Sequence, residues 1–587
     1  MRKFTCDFET TTDPDDCRVW AWALCEIGNP DNFIYGNDIT ELFDWCYNQK
    51  DNVKLYFHNL KFDGCFICNF LEEADFKFVT DRKYRDEWTY TTLITEMGQW
   101  FSIEIWFEVN GNKVNKVTIY DSLKLLNFSV EEIAKAFDLP IRKLELDYET
   151  YRPVGHELTP HEVDYIRNDV EIMARALDKF FKESKPKMTI ASTALASYKE
   201  TNPNFRNDFP ELPPEVDADI RMSYKGGFTY LNPVYKNKVT GSGVVLDFNS
   251  LYPSILYYEL LPYGWPEPFE GKYEPDPLYP LYTQMITCNF KIKPGKIPSI
   301  QIKHTFGFMG NEYLETSDDG SGLPVTLVLA KPDLELFLQQ YDVTDLKYIS
   351  GWKFKGAKGM FCDYIDQWSA KKIQAKKDGN KALYTTAKLF LNSLYGKFGV
   401  NPRGARKRPF INPRDGIIDF ESLPEEERHS IYVALASFTT AYGRKKIVET
   451  GQAIRDWSLE HKGYDAAVYF DTDSCHAILD DEDLEQLKDI IDLDDYALGK
   501  LKKESVYLKG KYLRQKCYIE EQPDHTMNLT VAGLPKKFSA LINFDNFRPG
   551  FHLSELPPEV LKDLGMKLNY TYVKGGVILT DTDFTIL

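Results

Sequence analysis

The acids of three short stretches could share one pocket. In Thr5-Cys6-Asp7-Phe8-Glu9 two carboxylates stand two residues apart, so on a strand both point to the same face. Adjacent carboxylates repel each other unless a cation lies between them. An isolated Asp-x-Glu is ordinarily a solvated strand edge, but other acids are at hand. His58-Asn59-Leu60-Lys61-Phe62-Asp63-Gly64 offers Asp63. Tyr165-Ile166-Arg167-Asn168-Asp169 follows a helical pattern that puts Tyr165 and Asp169 on one face. Three Asp and one Glu would make an oxygen-rich pocket for hard divalent ions. Two such ions roughly 3.5–4 Å apart can activate a water and stabilise the leaving oxygen in phosphodiester cleavage.

A second constellation is spread more widely. Val244-Val245-Leu246-Asp247 is an apolar run ending in a carboxylate, followed by Ser250-Leu251-Tyr252-Pro253, where proline stops a strand. Far downstream, Ala466-Ala467-Val468-Tyr469-Phe470 leads into Asp471-Thr472-Asp473-Ser474 and then Cys475-His476-Ala477-Ile478-Leu479. The pattern predicts strand, carboxylate-bearing turn, strand. Asp favours turns, so Asp-Thr-Asp alone would be a hairpin tip. With Asp247 at a strand end, the acids could instead hold two Mg²⁺ ions for an in-line displacement on a nucleotide phosphate. Between these segments the pattern predicts a helix over Lys381–Phe398, containing Lys388-Leu389-Phe390-Leu391-Asn392-Ser393-Leu394-Tyr395-Gly396. At about 100° per residue, Lys381, Lys388, Asn392 and Tyr395 fall within an arc of about 60°. Two cations, an amide and a phenol in one stripe suit a triphosphate with a base stacked near its end.

The elements that must position these groups fall into four zones. Residues 1 to about 185 alternate strand-like runs with helical stretches, as in an α/β domain. Pro186, Pro203, Pro210, Pro213 and Pro214 mark a boundary. A Tyr-, Pro- and Gly-rich zone runs from roughly 215 to 355, then a helical hairpin from Phe361 to Phe398 with its turn at Asp378-Gly379-Asn380. Beyond about 425 helix and strand patterns alternate down to a β-like tail at Gly575-Gly576.

With 587 residues, the chain has room for about four domains and several cores. Ten cysteines are thinly scattered; the one Cys-x-x-Cys pair, Cys65 and Cys68, lies in an apolar run and is expected in the core rather than on zinc. No apolar run approaches the roughly 18 residues of a membrane span, and no signal segment opens the chain, so an intracellular, reducing compartment is expected. The net charge of −18 argues at first against nucleic acid, yet residues 351–412 carry fourteen Lys and Arg against three Asp and Glu. That excess of eleven leaves about −29 on the rest, an acidic body with one basic face.

The motifs carry a family resemblance. The order D-x-E, N-x-x-x-D, Y-x-x-x-D resembles the 3′–5′ exonuclease of family B DNA polymerases. By that resemblance Asp7, Glu9, Asp63 and Asp169 hold metals, Tyr165 positions the attacking water and Lys143 helps stabilise the scissile phosphate. His58, Asn59, Phe62, Ser122 and Leu123 match positions that hold the single-stranded primer end. The segments D-x-x-S-L-Y-P, K-x-x-x-N-S-x-Y-G and Y-x-D-T-D-S are similar to the three polymerase motifs of that family. The resemblance implies that Asp247 and Asp473 bind catalytic metals with Asp471 in support. Lys388 would hold the triphosphate, Tyr252 would stack under the sugar and exclude a 2′-hydroxyl, and Tyr395 would close the nascent base pair. Tyr224-Lys225-Gly226-Gly227, the Thr440–Arg444 segment, and Lys516 with Tyr518 would touch template and primer backbones.

The resemblance narrows to the protein-primed polymerases of small tailed phages, through segments such as Ile297–Lys303, Gly310-Asn311-Glu312-Tyr313-Leu314 and Lys511–Lys516. It implies an α/β and α+β multidomain chain: a ribonuclease H-like exonuclease domain at 1–185, then a right-hand polymerase. Palm is expected at 186–255 and 423–520, fingers at 355–398 and thumb at 521–587. Two insertions would fall at 256–354, docking a terminal protein, and at 399–422, serving processivity and strand displacement. Expected cofactors are two Mg²⁺ per site, with Mn²⁺ as a substitute. Expected partners are template and primer DNA, dNTPs and the terminal protein, with the chain a monomer or a heterodimer with that protein, in the cytoplasm of an infected bacterium. Two other readings stay open: a family B polymerase that extends nucleic-acid primers alone, and an inactive DNA-clamping relative.

Overall fold

A computed structural model describes residues 1–49, 51–110, 113–148, 150–303, 310–534, 536–560, 567–581 and 584–587. Part of the expected first insertion (304–309) and parts of the expected thumb (535, 561–566, 582–583) lie outside the described residues.

The N-terminal unit is built on an eight-stranded mixed sheet in the order Asn29–Gly36, Val19–Glu26, Arg2–Thr10, Val53–Phe57, Lys113–Asp121, Trp100–Asn110, Thr89–Ile94, Lys77–Phe78. Strand Arg2–Thr10 runs antiparallel to Val19–Glu26 and parallel to Val53–Phe57. The two-residue period divides its side chains: Phe4, Cys6 and Phe8 enter one core. On the other face Thr5 Oγ1 donates to Val170 O (2.6 Å) of helix Pro160–Glu183. That helix starts cleanly because Thr159 and Glu162 form a capping box ahead of a first-turn proline. Helix Leu60–Glu73 follows strand Val53–Phe57 through Asn59, held in the left-handed region (φ 72°). Cys65 and Cys68 are buried in it, as the sequence suggested.

The central sheet is antiparallel throughout, in the order Leu501–Tyr507, Gly243–Phe248, Ser474–Ala477, Ala467–Asp471, Thr229–Leu231. The expected strand–turn–strand is present, with Thr472 at φ 63° in the turn. A 30-residue helix, Val433–Lys462, buries much of its length behind the sheet. The helical hairpin is Cys362–Lys377 and Lys381–Phe398, turning at Gly379 (φ 66°), with the Asn380 side chain accepting from Leu383 N–H.

Three smaller pieces surround this centre. Strands Leu261–Glu270, Tyr341–Ala357, Leu281–Ile292 and Val325–Ala330 form a sheet packed by helix Lys331–Gln340. Hairpin Lys407–Ile411/Ile418–Ser422 leans on the N-terminal unit, where Phe420 meets Trp100 edge-on at 5.6 Å. At the C-terminal end, hairpin Lys567–Val573/Gly576–Asp581 lies against helix Leu60–Glu73. A Cβ on Gly576 would fall 2.4 Å from the Phe66 ring, so this contact requires glycine. Among the described residues no helix is long and apolar enough to cross a membrane.

Candidate active sites

Asp7 and Glu9 leave strand Arg2–Thr10 toward helix Pro160–Glu183, from which Asp169 meets them. One oxygen from each lies within 4.8 Å of the others, and no other such trio of Asp, Glu, His or Cys occurs among the described residues. Asp63, in the first turn of helix Leu60–Glu73, stands beside this trio but outside its 4.8 Å limit. Glu9, Asp63 and Asp169 are 4–5% exposed. Burial, and next the charge of Asp169, pushes Asp7 up to about 7. Burial and then the charge of Asp7 hold Glu9 and Asp63 well above the usual carboxylate range. Asp63 Oδ1 and Asp169 Oδ1 are buried with no hydrogen-bond partner among the described residues. Mutually repelling, dry carboxylates with unused lone pairs fit a divalent cation.

Two further groups close this pocket. Lys143 Nζ donates to Asp169 Oδ2 at 2.6 Å. Burial lowers the ammonium's pKa, but the charge and hydrogen bond of Asp169, with the charge of Asp7, together make the net shift upward. Tyr165 is buried, and its hydroxyl lies 2.6 Å from that of the exposed Tyr148.

The expected single-strand contacts divide. His58 and Ser122 already use polar atoms inside the fold. The His58 ring nitrogens lie 2.7 Å from Phe128 O and 3.1 Å from Ser122 Oγ, and burial pushes the ring down to about 4. Ser122 is fully buried and donates to Phe57 O (2.9 Å). Asn59, Phe62 and Leu123 stay partly open. Asn59 Nδ2 donates to Tyr570 OH (3.1 Å), and the Phe62 ring lies 6.0 Å from that of Tyr570.

In the second site Asp247 lies near the end of strand Gly243–Phe248 and Asp473 in the turn just before the adjacent strand Ser474–Ala477, with Phe248 N–H donating to Asp473 O (2.8 Å). Burial, then the charge of Asp247, pushes Asp473 up to about 6. Asp247 is also raised, by burial and then Glu504, against the pull of Lys502 and Lys388. Asp471 differs: Lys516 Nζ lies 3.0 and 3.3 Å from its two oxygens, and Tyr469 OH donates to it at 3.3 Å. Its oxygens are thus engaged by a lysine and a tyrosine.

Lys388 and Asn392 are exposed on helix Lys381–Phe398. Below them the Tyr252 and Tyr395 rings lie 4.1 Å apart at 35°. Tyr252 starts helix Leu251–Tyr258 after Ser250, at φ 56°. A Cβ on Gly227 would come within 2.8 Å of Thr472 Oγ1 and 3.0 Å of Tyr252 OH, so the loop passes here as glycine. Gly226 and Tyr224 lie in the same loop, and Tyr518 packs 5.2 Å from Tyr469.

Three of the expected contact residues have partners within the protein. Lys381 shares the stripe but not the place: seven residues from Lys388 is about 10 Å along the axis. Its ammonium pairs with Asp138 of the N-terminal unit at 3.2 Å instead. Thr440, 2% exposed, donates to Ala436 O within its own helix. Arg444 is buried: its guanidinium bonds Asp333 at 3.0 and 2.5 Å and donates to Lys225 O and Gly226 O at 2.7 and 2.6 Å. It shapes the Tyr224–Gly227 loop from inside rather than meeting a solvent-side strand.

Sequence reading missed Tyr148, Tyr570, Glu504, Lys502 and Lys372. Lys372, on helix Cys362–Lys377, is depressed by burial and then by the charges of Lys388 and Lys502. Its signal was present in the basic count of residues 351–412, which singled out no lysine outside the motif helix.

The family model for DNA polymerase type B, organellar and viral, matches residues 46–155 and 144–477. The DNA polymerase of Bacillus phage Nf is 42% identical over 604 aligned positions, covering 100% of this chain and 99% of that protein. That of Streptococcus phage Cp-1 is 31% identical over 99% and 98% of the two chains. Phi29 DNA polymerase complexed with primer-template DNA and incoming nucleotide substrates superposes with a TM-score of 0.89 at 40% identity, covering 100% of both chains. Its complex with single-stranded DNA gives 0.88 at 39%, again over both whole chains.

Proposed function

The chain belongs to the phi29-like branch of the organellar and viral type B DNA polymerases, and from that membership we propose that it both synthesises and edits DNA, at two separate sites, starting from a protein primer. It is a DNA-directed DNA polymerase of phage type. The observation that carries the proposal is the pair of carboxylate clusters, Asp247 with Asp473 in the central sheet and Asp7, Glu9, Asp63 and Asp169 in the N-terminal unit. Divalent ions, Mg²⁺ first and Mn²⁺ as substitute, would be held by these two sets and would supply Lewis acids for the attacking and leaving oxygens.

The chain's own groups do the rest. Lys388 reaches the cleft as a cation for the polyphosphate, and the Tyr252–Tyr395 pair makes an aromatic floor for sugar and base. Gly227 lets the loop pass close to that floor. Lys516 holds Asp471. In the editing site Lys143 stays charged beside the scissile phosphate, and the Tyr165 hydroxyl, oriented by Tyr148, places the water. Phe62 and Leu123 remain available to a frayed primer end, in keeping with the single-stranded DNA of the phi29 complex. Template, primer and dNTPs are the proposed partners, after the phi29 ternary complex.

For initiation, a hydroxyl of a terminal protein would take the primer's place, with that protein docked on the 256–354 insertion. The hairpin region 399–422 would close round the template and support strand displacement. The domain limits given from the sequence, 1–185, 186–255, 355–398, 423–520 and 521–587, are proposed with this reading, as is a place in the host cytoplasm. Primer extension on a primed circular single-stranded template, without helicase or clamp, tests it. Products longer than one circle support synthesis with displacement; products stopping at one circle refute autonomous displacement. Transfer of dAMP onto a co-encoded terminal protein tests priming, and its absence leaves a polymerase that extends nucleic-acid primers only.

A further inference from the structure

We propose that Lys502 is a positioning residue of the synthesis site, whose ammonium shares the Asp247 carboxylate with the divalent cation and so sets how much cation the site requires. This rests on the reading that Asp247 and Asp473 hold cations.

Lys502 and Asp247 are direct partners on adjacent antiparallel strands, so their side chains leave the sheet on one face. Lys502 Nζ lies 3.3 Å from Asp247 Oδ1 and 4.0 Å from Glu504 Oε1. An ion pair in open solvent would deserve little weight. This one is set in the cleft, with the Asp247 side chain 20% exposed and that of Lys502 33% exposed. The ammonium also lies within electrostatic reach of Lys372 on the helical hairpin, and its charge acts on Asp247 alongside that of Lys388.

An Asp247 oxygen cannot give all its electron density to an ammonium and to a divalent ion at once. A unit charge roughly 5 Å from a doubly charged ion weakens its binding even in screened solvent, by about three- to tenfold.

The test is Mn²⁺ binding, read by electron paramagnetic resonance on the full-length protein without DNA or nucleotide. All proteins carry Asp7→Ala and Glu9→Ala to silence the other cluster. Asp247→Ala identifies the ion held at the synthesis site. Lys502→Met is expected to bind that ion about three- to tenfold tighter, with Lys502→Arg restoring the original affinity. Lys502→Met in the otherwise unaltered chain should degrade single-stranded DNA at the normal rate, which shows that it folds. If Asp247→Ala loses the ion while Lys502→Met binds it with unchanged affinity, Lys502 is a bystander. If Asp247→Ala loses no ion, the two-cation reading of this site falls, and this inference with it.

Discussion

The two carboxylate clusters use the same residue types, and their surroundings make them different instruments. The N-terminal cluster gathers three nearly dry acids and the half-buried Asp7 around the Lys143 ammonium. The central cluster sets three partly open acids against Lys502, Lys516 and Lys388. In the first, acid repels acid, two buried oxygens lack a partner, and only a strong positive charge relieves the crowding. In the second, the lysines share the work, as suits a site that must also receive a polyanionic nucleotide and release pyrophosphate. Hydrolysis needs a fixed cationic trap; nucleotide transfer needs a trap that can be traded.

The sharpest way to break the comparison is to empty one cluster at a time. Asp247→Ala or Asp473→Ala should reduce synthesis by about 10³-fold or more, because such groups act as a unit. Degradation of single-stranded DNA should persist in those variants. Asp7→Ala with Glu9→Ala should do the reverse, as read by primer extension and by release of labelled nucleotide. Loss of both activities from either change would mean that the clusters are not independent.

A somewhat smaller effect is expected where the two halves are joined. Arg444 is buried against Asp333 and holds the Lys225 and Gly226 carbonyls. Arg444→Met leaves the Asp333 carboxylate buried and unpaired, at a cost of about 3–5 kcal/mol. Denaturant unfolding should show that loss. Because the loop borders the synthesis cleft, synthesis should suffer more than degradation at temperatures where the variant remains folded.

How much of this could be read from residues alone follows from range. The acids were legible because chemistry demands their types, and local spacing placed Asp7 with Glu9 and Tyr165 with Asp169. The helical hairpin was legible because Asp378-Gly379-Asn380 is a turn in its own right and its flanks are strongly periodic. What failed was reach. Lys381 lies on the right face yet a full 10 Å from Lys388, since a helical wheel discards the axis. The internal partners of His58, Ser122, Thr440 and Arg444 were likewise out of reach, because burial and long-range packing set them. Lys502 and Tyr570 could not be singled out, because their partners are about 255 and 511 residues away in sequence and only strand pairing and hairpin docking bring them together.

Lys143 offers a finer probe of the trap idea. Among the described residues its ammonium is the one cation bonded to the buried cluster, through Asp169 Oδ2. Lys143→Ala should slow degradation by about 10²-fold, the size expected for a preorganised charge near a developing oxyanion. Lys516→Ala, which frees the more open Asp471, should cost synthesis about tenfold at most, because solvent can replace part of what the lysine gives. Equal losses from the two changes would erase the distinction between a dry and a shared site.

The smallest effect, and the one most specific to the contrast, is in pH. Asp7 loses its proton at about 7 and Asp473 at about 6, and a carboxylate takes up a cation only in its ionised form. Lowering the pH from 8 to 6 therefore protonates the N-terminal cluster first: Asp7 loses roughly tenfold in ionised fraction and Asp473 about twofold. At Mg²⁺ well below saturation the ratio of synthesis to degradation should rise by about fivefold, and saturating Mg²⁺, which holds both sites ionised, should flatten the change. The same shift fixes the sign for stability. Folded Asp7 keeps its proton up to about 7, whereas the unfolded chain releases it near 4, so unfolding releases protons in between. In chelator the stability present below about pH 4 should be lost progressively as pH rises toward 7, and Asp7→Asn should flatten that slope in thermal melts. A ratio that stayed constant from pH 8 to 6 at low Mg²⁺ would mean that the two clusters feel the same environment despite their different burial.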